Sequence, residues 1–253
     1  MFFFFGSQMI SNYYLPIYFQ TVRNVRPAMS GVYTLPSIFG TMLMSVGSGV
    51  LVGRWGYYLP WMMLSAVLAG IGSGLLSTMG PHTSTVRWVW YQIIVGLGRG
   101  CGMQMVSEPS FTRLGVFSML TLNKTIIAIQ TNLLPAVVPI GQALLIFQQT
   151  FGGAFFLAIA QTLFNSSLAD ALRQFAPEVD IESIVHAGAN GVRNVVSAQD
   201  LPAVIRAYSQ SVNHEFYMAT ACSSLTLITC LGMGWKKVTK DKGKEARDST
   251  AEN

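Results

Sequence analysis

The sequence predicts an all-α fold, a polytopic membrane protein of six transmembrane helices, on three observations. Of its 253 residues 51% are hydrophobic and only 11% charged, well below the roughly 25% charge of a soluble globular domain. No Asp or Glu occurs before Glu108, and a water-facing surface is hard to build without acidic residues. Six apolar segments are each long enough to cross about 30 Å of hydrocarbon, which takes roughly 20 residues.

The first segment covers 2–19 and the second 29–52. A third, 57–79, follows the short turn Gly53-Arg54-Trp55-Gly56, and so tight a link makes these two neighbours antiparallel. The fourth covers 86–105, the fifth 140–164 and the sixth 216–235. Trp55, Trp61, Trp88, Trp90 and Trp235 fall at or near the ends of these segments, where interfacial aromatics belong. Glycines recur at four-residue spacing as Gly49/Gly53, Gly70/Gly74, Gly96/Gly100 and Gly98/Gly102, which suits close helix packing and sliding.

Six of the 16 basic residues lie in the tail 236–253, and the positive-inside rule places that tail in the cytoplasm. With six crossings the N-terminus is cytoplasmic too, as is the Arg54 turn, while Arg23 and Arg26 fall outside against the rule. The stretch 165–215 becomes an external loop, with six acidic residues against three basic. Within it Leu201, Val204, Ile205, Tyr208 and Val212 recur at helical spacing behind Asp200 and Pro202, which reads as a short amphipathic helix. A weaker one begins near Asp180 and includes Ile181, Ile184 and Val185.

Composition also excludes. The net charge of +5 could suggest nucleic acid, but six of the 16 basic residues lie in the tail, so it describes no nucleic-acid groove. Cys101, Cys222 and Cys230 lie in apolar segments without ligand spacing, so neither a disulfide nor zinc is expected. His82, His186 and His214 are scattered, and no metal or cofactor is implied. A membrane-embedded enzyme would need paired acids or histidines at bilayer depth, and none falls within the six segments. Asn165-Ser166-Ser167 and Asn123-Lys124-Thr125 match the glycosylation acceptor, but the first lies close to the membrane and the second on the cytoplasmic side.

SGVLVGRWGYYLPW, from Ser48 to Trp61, resembles the major facilitator superfamily, in which a Gly-Arg-Gly turn joins the second and third helices of a half. NYYLPIYFQTVRNVRPAMSGVYTLP, GLGRGCGMQM, FQQTFGGAFF and GMGWKK are similar to the fungal fourteen-spanner drug:proton antiporters, the group that includes mycotoxin efflux pumps. The resemblance implies the C-terminal six helices of an efflux transporter. That transporter would export small organic compounds by proton antiport and alternating access, between this half and a missing N-terminal half. It implies the plasma membrane, with the vacuolar membrane as the alternative. The family's proton-coupling carboxylate belongs to the other half. A truncated, transport-inactive product is the rival expectation.

The same resemblance places the substrate cavity on the first, second, fourth and fifth helices of this half. Candidate lining residues are Gln8, Asn12, Tyr13 and Tyr14 on the first, Gln92 and Arg99 on the fourth, and Gln142, Gln148 and Gln149 on the fifth. Amides and aromatic rings suit a large, weakly polar substrate, and equally suit hydrogen bonds between helices. Arg99 is an intramembrane charge, hence a functional candidate. It meets an anionic substrate group, braces a helix, or, lying toward the cytoplasmic end, snorkels to the interface.

The stretch 106–124 interrupts this pattern with a Glu-Pro pair, an Arg and an Asn-Lys pair. It is expected to be a translated intron, with a cytoplasmic insert as the alternative. In the resembling family GMQM runs almost directly into IIAIQ, and removing 106–124 restores GMQMTIIAIQ. Val106-Ser107 is writable as the splice donor GTGAGT, Leu120-Thr121 as a branch site, and Lys124 as AAG. The 19 residues (124 minus 105) correspond to 57 nucleotides.

Overall fold

The computed structural model describes residues 1–55, 59–103 and 138–231. The stretch 106–124, Gly56 and the tail 236–253 lie outside the described residues. Among the described residues every regular element is a helix: α1 (Phe2–Thr21), α2 (Pro27–Tyr33), α3 (Leu35–Trp55), α4 (Leu59–Leu76), α5 (Thr85–Met103), α6 (Val138–Phe175), α7 (Ile181–Val195) and α8 (Leu201–Leu231).

The helices form two sets. In one, α1 packs against both α6 and α8, which also touch each other; in the other, α5 lies between α3 and α4. Contact between α4 and α8 joins the sets. Glycine makes the second set possible. A Cβ on Gly96 would stand 2.2 Å from the Ser37 carbonyl oxygen of α3, and one on Gly98 would stand 2.4 Å from the Ala69 amide nitrogen of α4. Positions 96 and 100 share one face of α5 and 98 and 102 the opposite one, so the two glycine pairs receive two different helices. Gly70 and Gly74 sit at ordinary van der Waals distance from α8, at 3.6 and 3.8 Å. Gly53 and Arg54 belong to the last turn of α3.

Small polar side chains are buried beside an apolar core, and large apolar ones are exposed. Ser7, Ser11, Ser65, Ser73 and Ser223 are buried between helices, while Phe39, Met42 and Leu43 on α3, Phe147 and Phe151 on α6 and Ile228 on α8 are exposed. Ser7 Oγ donates to the Ala219 carbonyl at 2.8 Å and lies 2.9 Å from Ser223 Oγ. Ser65 Oγ donates to the Gly98 carbonyl at 2.7 Å. Between helices in an apolar solvent such bonds are worth about 0.6 kcal/mol each.

By length and composition one described segment, Ala143–Phe175, is long and apolar enough to cross a membrane, and Pro60–Leu76 is a shorter apolar helix. Serine, glutamine, arginine and tyrosine interrupt the apolar runs of the other helices.

Three boundaries differ from the sequence expectation. The segment expected at 29–52 is divided into α2 and α3 at Thr34, because Pro36 offers no N–H to the preceding turn; Thr34 N–H bonds Gly31 instead, at 3.2 Å. The helix expected to end at 164 continues as α6 to Phe175. The stretch 165–215, expected as a loop holding an amphipathic helix, is mostly helical. It contains the end of α6, all of α7 behind its N-cap Asp180, and the first half of α8. The amphipathic stripe from Leu201 and the apolar segment after Phe216 form one uninterrupted helix, since neither Gly nor Pro stands between them.

At one end of the bundle the connections are pinned. Tyr18 Oη donates to the Gly80 carbonyl at 2.8 Å, Asn213 Nδ2 to the Met79 carbonyl at 3.0 Å, and Arg193 Nη2 to the Thr21 carbonyl at 3.2 Å. Phe19, Tyr33 and Trp88 cluster there with centroids 5.0 to 5.4 Å apart, Phe19 meeting the other two edge to face. Trp88 is therefore a packing residue, whereas Trp90 is exposed.

Candidate functional site

Arg99 stands in the fourth turn of α5, among Gly96, Gly98, Gly100 and Gly102. Those glycines draw in α3 and α4 and leave the Arg99 face toward α1. Side chains on a helix tilt toward its N-terminus, so the guanidinium reaches back along α5 rather than out past its end. It meets the middle of α1, where Nη1 donates to Asn12 Oδ1 at 2.8 Å. Arg99 is 6% exposed, and its Nη2 has no hydrogen-bond partner among the described residues.

The charge has no acidic partner among the described residues. Among the described residues the single ion pair is Arg173 with Asp170, elsewhere and on the surface. A guanidinium with one donor on a neutral amide and another donor free is a fixed positive site, fit for a carboxylate, phosphate or polarised carbonyl oxygen. Gln92, two turns away on the same face of α5, is fully buried, and its amide has no partner among the described residues. It adds one donor and one acceptor on the same side of the helix.

The other candidates separate. Asn12 and Tyr13 are exposed along α1 beside Met9, so Asn12 stands between an open helix face and Arg99. Gln8 is half-buried one turn before. Tyr14 is fully buried, its ring 5.2 Å from that of Phe164, which makes it a wall between α1 and α6. On α6, Gln148 is exposed and Gln149 half-buried. The side chain of Gln142 lies outside the described set.

Sequence reasoning missed Glu215. It precedes the last expected segment by one residue, yet it is fully buried. The signal was present in the stripe Val204, Tyr208 and Val212, all buried on α8. Three residues further, the stripe lands on Glu215, and then on Ala219 and Cys222.

No family model matches the chain. It is 48% identical over 236 residues to the efflux pump mlcE of Penicillium citrinum, covering 93% of this chain and 39% of that protein. It is 42% identical over 233 residues to the MFS-type transporter pigP of Monascus ruber, covering 92% and 38%. To the efflux pump mokI of Monascus pilosus it is 44% identical over 232 residues, covering 92% and 39%. The chain thus spans roughly two fifths of the length of the curated relatives it matches.

Proposed function

We propose, for a chain homologous over more than nine tenths of its length to fungal MFS-type transporters and efflux pumps, that it forms one wall of a transmembrane efflux pathway for small organic compounds. The observation that carries this is the exposed apolar surface around a buried cation. Phe39, Met42, Leu43, Phe147, Phe151 and Ile228 are exposed, serines are buried at helix contacts, and Arg99 is buried against Asn12 without an acidic partner among the described residues. An outside of that kind suits lipid and an opposing half, whereas water would select charged residues.

In this reading all six segments cross the bilayer, with the tail and N-terminus cytoplasmic. Transport proceeds by rocking of this bundle against an N-terminal half across a midplane site, coupled to protons by antiport. Asn12 and Arg99 orient a polar or anionic group of the cargo, and the exposed Tyr13 supplies aromatic contact. The chain performs no covalent chemistry, in keeping with relatives named as transporters and pumps. The plasma membrane is the proposed location.

The test is expression in a transporter-deficient host, with the chain alone and with the chain joined to the N-terminal part of such a relative. Retention of a fluorescent organic compound is the readout. The joined protein should lower retention in a proton-gradient-dependent way, and the chain alone should not. Efflux from the chain alone defeats the one-wall reading. A joined protein that reaches the membrane and moves nothing defeats the transport reading.

A further inference from the structure

Glu215 is fully buried in α8, and neither of its carboxyl oxygens has a hydrogen-bond partner among the described residues. Tyr14, equally buried, comes within electrostatic reach from α1, and its hydroxyl also lacks a partner. On another side Glu215 belongs to the wall of a cavity of about 410 Å³ between α6 and α8, with Ser167, Asp170, Gln174, Gln210 and His214.

The groups that face it are these. From α6 comes Asp170, whose Oδ1 already accepts from Arg173 Nη1 at 3.2 Å. Beside it on α8 is His214, whose Nδ1 lies 2.6 Å from Ser167 Oγ. From α1 comes Tyr14, and α4 carries no titratable side chain. No arginine or lysine lines the cavity.

We propose that Glu215 is a proton-binding site loaded from the cavity between α6 and α8. A carboxylate taken out of water without a donor or counter-charge costs far more than the neutral acid. Burial holds this carboxyl well above the usual carboxylate range. The neutral acid has one O–H to give, and the cavity offers polar side chains through which a proton arrives or leaves. Glu215 stands on the loop side of the last expected segment, which is the outer side in the orientation that the basic tail indicates. The assignment concerns the carboxyl alone and does not depend on the transport reading.

The test compares thermal unfolding of the full chain in detergent with Glu215→Gln, from about pH 5 to about pH 9. A carboxyl that keeps its proton when folded and releases it on unfolding loses stability as pH rises above the ordinary carboxylate value. The wild type should therefore match the Gln variant at low pH and fall progressively below it at high pH. Labelling with dicyclohexylcarbodiimide, which takes protonated carboxyls in apolar surroundings, locates the proton. Glu215 should react several-fold more than the exposed Glu178, with the excess fading as pH rises. A melting difference independent of pH, or labelling of Glu215 no greater than that of Glu178, overturns the proposal.

Discussion

Arg99 Nη1 donates to Asn12 Oδ1 across 2.8 Å, joining residues 87 positions apart. Neither residue has a carboxylate partner among the described residues. In a transporter completed by an N-terminal half, Arg99→Ala should slow export of anionic compounds about tenfold more than neutral ones, since a hydrogen bond to a charged group is worth about 1.5–3 kcal/mol. Arg99→Lys should restore part of that loss, keeping the charge without the planar fork. Vesicle uptake with paired anionic and neutral substrates measures both. Equal losses for the two classes, with less protein at the membrane, assign Arg99 to bracing α5 against α1.

Asn12→Ala removes the acceptor and leaves the buried guanidinium with water alone to turn to. Its melting temperature in detergent should fall, by an amount equivalent to about 1–3 kcal/mol. Arg99→Leu in the same background should recover part of the loss, because the unpaired charge is gone. Additive effects of the two changes would show that the pair is not coupled.

Gly96→Ala places a methyl group 2.2 Å from the Ser37 carbonyl oxygen, a backbone atom that cannot swing aside. Separating α3 from α5 should cost about 1–3 kcal/mol, as overpacking does. Gly74→Ala meets only Thr220 at 3.8 Å and should be tolerated. Thermal unfolding of the two variants side by side checks the contrast.

Asp180 caps α7 by accepting from the Glu182 and Ser183 amides at 3.2 and 3.3 Å and from the Ser183 hydroxyl. The Ser183 hydroxyl and then the Glu182 amide hold its carboxyl below the usual value. The cap is therefore complete above the ordinary Asp range and is lost as pH falls through the lowered value. Hydrogen exchange in the first turn of α7 should rise in Asp180→Ala at neutral pH. Acidification should bring the wild type toward the variant.

Sequencing of the mature transcript tests the stretch 106–124. The dominant message should lack the 57 nucleotides that encode its 19 residues and join Met105 to Thr125. A message that retains them makes the stretch a true insert.

The order of amino acids by itself determines the helices. Hydropathy and the scarcity of acids specify helices in an apolar solvent, the spacing of Ile181 and Ile184 behind Asp180 specifies α7, and the four-residue glycine spacing marks α5 as a close-packed helix. These signals are local, because hydropathy, caps and periodicity repeat within a turn or two of one chain segment. The tertiary structure alone decides which faces meet. Gly96 and Gly98 send α3 and α4 to opposite sides of α5, so Arg99 is left facing α1 and pairs with Asn12. Resemblance assigns the polar residues of α6 to the same cavity, and of these Gln148 is exposed and Gln149 half-buried. Glu215 shows the same division. Its place in the stripe of Val204, Tyr208 and Val212 is written in the sequence, but its burial depends on α1 and α6 closing over α8. Such contacts join residues as much as 216 positions apart, as between Ser7 and Ser223, and no spacing within a single helix encodes them.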